Sequence, residues 1–225
     1  MKILEIVHKF PPSEGGSQRV VLQLAKQFIK QGHQVTVVTS TSINNKDTRG
    51  FSTDGLFTFK NRCKRHNYEL MEEINVYRFQ PFFKFWPYAY NPSMRKFLKK
   101  EVHKYDVVHV HGYQSYEADL VSKLGVPYIL TAHDIIAHYG GFFGFLKNFY
   151  DIIIGKRILK RAKKLIAITP ENVTQYNEIL NCNNKIAIVP NGIESFSKKE
   201  KSSELLKKLG NPHKTILFFA RIVKY

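Results

Sequence analysis

Cysteine is scarce. The chain has two in 225 residues, Cys63 and Cys182, far apart and in no CxxC pair. That excludes a disulfide framework or a cysteine-rich metal cluster and points to a reducing compartment. Acidic residues are also few, 18 Asp and Glu against 35 Lys and Arg, leaving a net charge of +17. So basic a chain implies an anionic partner (nucleic acid, an acidic membrane or a phosphorylated small molecule) or else a generally basic surface. No apolar run approaches the roughly 20 residues that cross a bilayer. The opening MKILEIVHKF carries Glu5 and His8 where a secretory signal needs an unbroken apolar core. A soluble or membrane-peripheral protein in the cytoplasm is therefore expected. Repeats and low-complexity segments are lacking. So are helix-turn-helix, zinc-finger and RNP patterns, which leaves charge alone to speak for nucleic acid, and no nucleic-acid partner is expected.

What is present is a globular composition, 43% hydrophobic and 13% aromatic. The length fits one large α/β domain, or one domain plus a fragment. Short apolar runs at 3–7, 34–39, 74–79, 106–111, 127–133, 164–169 and 185–190 read as strands. Between them lie helical patterns at about 17–31, 93–104, 114–124, the second half of 139–162, and 171–180. In the first helix Val20, Val21, Leu24, Ala25 and Phe28 recur at helical spacing, with Ser17 as the expected N-cap and Gly32 as the C-cap. Residues 41–73 read as a long polar surface loop with one short helix. The alternation predicts an α/β fold: a Rossmann-like parallel sheet with helices on both faces. The expected division is a domain over 1–194, a linker over 195–213, and the first strand of a second, truncated domain over 214–225.

In such sheets ligands bind beyond the carboxyl ends of the strands. The residues there are the Gly15-Gly16 loop, His109 and His111, His133 and Asp134, and Asn191. The glycines admit close backbone approach, and the helix behind them offers free N–H groups, a combination that suits phosphate or serves as an ordinary turn. His133 can donate a hydrogen bond to a sugar hydroxyl or stabilise developing charge. His109 and His111 share one strand face, but no third ligand is apparent, so no metal site is expected. Arg221 can pair bidentately with a diphosphate. The basic cluster Lys60, Arg62, Lys64 and Arg65, near Phe57 and Phe59, and the aromatic stretches around Trp86 and at 139–149 suit an anionic bilayer surface, or else fill the core or an acceptor groove.

Five motifs in order carry a family resemblance: the first strand with PPSEGG and its helix (1–32), DVVHVHG (106–112), YILTAHD (128–134), KKLIAIT (163–169) and IAIVPNGIE (186–194). Together they resemble the family-four retaining glycosyltransferases of the GT-B fold, and LFFARIVKY (217–225) looks like the opening of that family's donor domain. The resemblance implies an acceptor-binding N-terminal half facing a nucleotide-sugar-binding half, with reaction in the cleft between them. By it, Gly15, Gly16 and Arg221 approach the donor diphosphate, and His133 meets the transferred sugar. His109, His111, Asp134 and Asn191 are the remaining candidate contacts. No cofactor or metal is implied, since Arg and Lys neutralise the diphosphate. The acceptor is expected to be a glycan or lipid-linked, at the inner face of a membrane. The family's second-domain EX7E motif is not in this sequence, and Lys224 comes early for the Lys-Gly pair that follows Arg221. Activity of this piece alone is therefore not expected. A stand-alone binding module and a nucleotide-sugar epimerase of similar fold are the competing readings.

Overall fold

A computed structural model describes residues 1–13, 15–40, 66–85, 88–133 and 141–192, together with Lys208 and Gly210. The chain divides into two compact units, Met1–Asn191 and Gly192–Tyr225. The expected linker and final strand lie almost wholly outside the described residues. The first unit begins with β1 (Lys2–Val7), α1 (Gly16–Lys30) and β2 (Gln34–Ser40). A hairpin of β3 (His66–Met71) and β4 (Ile74–Phe79) follows, then a small one of β5 (Phe83–Phe85) and β6 (Tyr88–Tyr90). Next come α2 (Pro92–Glu101), β7 (Val107–His111), α3 (Tyr116–Ser122) and β8 (Ile129–Thr131). One long helical run holds α4 (Gly141–Tyr150), a π turn (Asp151–Gly155) and α5 (Lys156–Arg161). The unit closes with β9 (Lys164–Ala167), α6 (Pro170–Ile179) and β10 (Ile186–Ile188).

Eight strands form one sheet in the order β10-β9-β8-β7-β1-β2-β4-β3. Every neighbouring pair is parallel except β3 with β4, so the expected parallel sheet is mixed at one edge. Alternation along β1 separates two cores. Leu4 and Ile6 join Val108, Val110, Leu130 and Leu165 beneath α2, α3 and α5. Val7 joins Val35, Val37 and Val76 against Val21 and Ala25 of α1, so helices cover both faces. Burying each such Leu, Ile or Val contributes about 1.5–3 kcal/mol.

Helix starts follow local chemistry. Asn91 caps α2 by accepting from Met94 N at 3.0 Å, with Pro92 next, and Ser115 caps α3 by accepting from Ala118 N at 3.1 Å. Helix α1 departs from expectation. Gly15, not Ser17, takes the N-cap position, and no side chain caps it. Strand β3 replaces part of the loop expected over 41–73. Its turn, Glu72-Glu73, has φ of 48° and 66°, the two-residue hairpin geometry usually signalled by Asn-Gly and here built from glutamates. The helix expected only in the second half of 139–162 begins at Gly141.

Candidate functional site

Chain direction reverses around β1. Strand β2 lies on one side of it and β7 on the other, so the crevice at the carboxyl ends of these strands is a topological switch point. The loop to α1, the ends of β2 and β7, and His133 just past β8 converge there.

Beneath this edge lies a buried acid with three histidines. Register pairs Glu5 with His109 and Val7 with His111, placing Glu5, His109 and His111 on one sheet face. Glu5 Oε2 meets His111 Nε2 at 2.6 Å and His109 Nδ1 at 3.1 Å. His109 Nε2 lies 2.8 Å from Thr131 Oγ1, and His111 Nδ1 lies 3.0 Å from His133 Nε2. Burial by itself would raise the Glu5 carboxyl, but the field of His109 and hydrogen bonds from both histidines hold it well below the usual carboxylate range. Burial, reinforced by His109, depresses His111 to about 4. Burial, then the neighbouring His111 and His109, depresses His133 to about 3.

These states fix the protons. An ionised Glu5 only accepts, so His111 donates from Nε2 and, being neutral at pH 7, accepts at Nδ1. His133 then donates from Nε2 and keeps a lone pair on Nδ1, which has no hydrogen bond to a described residue. The outward group of His133 is thus a neutral acceptor, not the donor or charge that its position in the sequence suggests. Its backbone is in the left-handed region, φ 62°, which a non-glycine residue seldom adopts and which turns the ring back toward His111.

Glu5 is also the third ligand that the sequence did not reveal. Ligand atoms of Glu5, His109 and His111 lie within 4.8 Å of one another, so these are the residues that could hold a cation. Each is already satisfied by the hydrogen bonds above, and a cation would have to displace them.

The loop beside this cluster is anchored by Arg78 on β4. Its guanidinium bonds the carbonyls of Phe10 and Pro11 and pairs with Glu69 at 2.6 Å. Gly15 and Gly16 follow, both exposed. A Cβ on Gly15 would strike the Gln18 amide, whereas one on Gly16 would meet nothing within 4 Å. The start of α1 has neither a side-chain cap nor an acidic residue in its first turn, so its N–H groups remain available to an anion.

A second acid–histidine pair, missed in the sequence, lies on the opposite sheet face. Glu117 Oε1 accepts from Ser40 Oγ at 2.8 Å and meets His8 Nδ1 at 3.1 Å. No sequence spacing could have found it, because its members are 32 and 77 residues apart along the chain. Asn191 is exposed past β10. Asp134, Arg221, Lys60, Arg62, Lys64, Arg65 and Trp86 lie outside the described residues. A different apolar surface emerges on the long helical run: Phe145, Phe149, Ile152 and Ile153 are 48–68% exposed, with the exposed bases Lys156 and Lys160 following.

The profile of Glycosyltransferase Family 4 matches residues 14–195. No curated protein sequence matches the chain. Among solved structures, Anabaena Alr3699/HepE in complex with UDP and glucose is similar over 93% of this chain and 50% of its own, with TM-score 0.57 and 15% identity. The E. coli trehalose-6-phosphate protein bound with UDP-2-fluoro glucose is similar over 94% and 55%, with TM-score 0.55 and 11% identity. WaaG, a glycosyltransferase involved in lipopolysaccharide biosynthesis, is similar over 93% and 52%, with TM-score 0.51 and 17% identity. The chain spans about half the length of these structures. The sheet matches the N-terminal, Rossmann-like half of the GT-B fold that they share. With the family profile covering most of its length and the fold agreeing, the chain belongs to Glycosyltransferase Family 4.

Proposed function

We propose that this chain is the acceptor-side part of a glycosyltransferase that moves a sugar from a nucleotide-sugar donor to a membrane-associated acceptor with retention of configuration. The observation that carries this reading is the Glu5–His111–His133 series, ending in a free imidazole nitrogen at the switch point beside the uncapped start of α1. The α1 N–H groups and the glycine loop receive the donor diphosphate, and open space over Gly16 leaves room for it. His133 Nδ1 accepts a hydroxyl of the transferred sugar and so orients the ring that must lose its leaving group. The UDP bound by HepE and the UDP-2-fluoro glucose bound by the E. coli protein support a uridine diphosphate donor. Diphosphate charge is met by backbone dipoles and basic side chains, Arg221 among them, so no metal is required.

Membrane association of the acceptor is supported by the exposed Phe145–Ile153 stripe and its neighbouring lysines, together with the net charge of +17. No helix among the described residues is long and apolar enough to cross a membrane. The test is transfer by the full protein from labelled UDP-sugars to extracted membrane lipids, with the product's anomeric configuration read by NMR. His133→Ala should slow transfer while leaving the circular dichroism spectrum intact. Unchanged turnover would remove His133 from the site, and an inverted product would remove retention.

A further inference from the structure

Glu117 and His8 form an assembly that the transfer reading above leaves unused. Glu117 is the second residue of α3, and its side chain is wholly buried. Burial works to raise its carboxyl, but the field and hydrogen bond of His8 and the hydroxyl of Ser40 hold it below the usual range. The carboxylate therefore only accepts, and His8 donates from Nδ1. Neutral His8 then keeps its lone pair on Nε2, which has no hydrogen-bond partner among the described residues. The ring is 35% exposed, so that nitrogen is within reach of solvent. The other carboxylate oxygen, Oε2, is buried with no partner at all. Packing alone gives no reason to keep a half-satisfied charge inside the domain, whereas fixing the tautomer and direction of an imidazole does.

The place matters as much as the pair. Val7 is in register with His111 on one side and Thr39 on the other, so His8 follows directly at the carboxyl end of the central strand. It belongs to the face of Leu4 and Ile6, opposite the face that holds Glu5. Each side of the sheet thus brings one acid-backed histidine to the same edge. A neutral imidazole nitrogen accepts from O–H groups but repels phosphate oxygens, which are acceptors themselves.

We propose that His8 is a hydroxyl-binding residue for the acceptor. Its Nε2 accepts from a hydroxyl of a sugar or polyol, with Glu117 and Ser40 as positioning residues. This rests on reading the unit as the acceptor side of a transferase.

The test is long-range proton–nitrogen NMR on the chain labelled at histidine nitrogens, with methyl α-glucopyranoside and myo-inositol as probes. His8 should carry its proton on Nδ1, and its Nε2 signal should move saturably with at least one probe. Tetrahydropyran, which lacks hydroxyls, and inorganic phosphate should leave it still. Glu117→Leu should abolish both the fixed tautomer and the response. His8→Gln, which keeps a donor toward Glu117, should fold and weaken probe binding about tenfold, as expected for one lost hydrogen bond. A proton on Nε2 in the free chain, no movement with either probe, or equal binding by His8→Gln would overturn the proposal. Transfer from UDP-sugars separates the two readings: binding through His8 with no turnover by the full protein sinks the transferase reading and leaves this one, whereas turnover with an acceptor KM unmoved by His8→Gln sinks this one alone.

Discussion

Acidification should unfold the Met1–Asn191 unit sooner than its carboxylates alone would require, because His111 and His133 resist protonation where they stand. In the unfolded chain each titrates near 6.5, and in the fold they are held at about 4 and about 3. The unfolded state therefore binds more protons between these values. Stability is intact above the unfolded value, falls as pH drops through it, and stops falling on this account below the folded values. Between about pH 7.5 and about pH 5, either histidine alone removes about 2 kcal/mol. The two rings are hydrogen-bonded to each other, so the pair together removes about 3 kcal/mol, not the full sum. For a domain of this size that lowers Tm by roughly 6–12 °C. Glu5 has the opposite starting point, a folded value below its unfolded 4.5, so its contribution is present above that value and is lost only in more acid solution. Urea unfolding followed by far-ultraviolet circular dichroism across this range, for wild type and a His111→Gln/His133→Gln double variant, measures the effect. A flat wild-type profile, or the same slope in the double variant, would refute the assignment of buried neutral histidines.

Three further outcomes are expected. Gly155→Ala should cost about 3 kcal/mol, because its Cβ would overlap the hydroxyl of the buried Tyr113 and approach its ring carbon to 2.7 Å; thermal unfolding at wild-type temperature would contradict this packing. Replacing Phe149 and Ile152 with Glu should leave folding unchanged and abolish co-sedimentation with anionic vesicles, whereas binding equal to wild type would remove the stripe as a membrane contact. Chelation by EDTA should alter neither thermal stability nor transfer by the full protein, and a loss of either would make Glu5, His109 and His111 a metal site after all.

Much of the fold was legible because buried parallel strands read as unbroken apolar runs and their helices carry caps such as Asn91-Pro92 and Ser115. Strand β3 was not, since its hairpin bends through two glutamates at positive φ where sequence reading looks for Asn-Gly. His109, His111 and His133 were legible as strand-end residues. Their joint chemistry was not, because Glu5 resembles a surface residue in an N-terminal strand until register sets it opposite His109. His8, Ser40 and Glu117 show the same limit: contacts between distant strands leave no periodic trace in a single sequence.

The π turn at Asp151–Gly155 has a consequence for how this family member tolerates length change. A π turn is one residue wider than an α turn. Here it lets Asp151 meet Tyr113 and Lys147 while Gly155 passes against the Tyr113 ring. Deleting a single residue within it would restore regular α geometry and rotate everything downstream by about 100°. Arg157 would swing away from Asp119, and Ile158 and Leu159 would leave the core they now fill. An insertion or deletion that a surface loop would absorb thus becomes, at this one place, a phase error carried through α5 into β9.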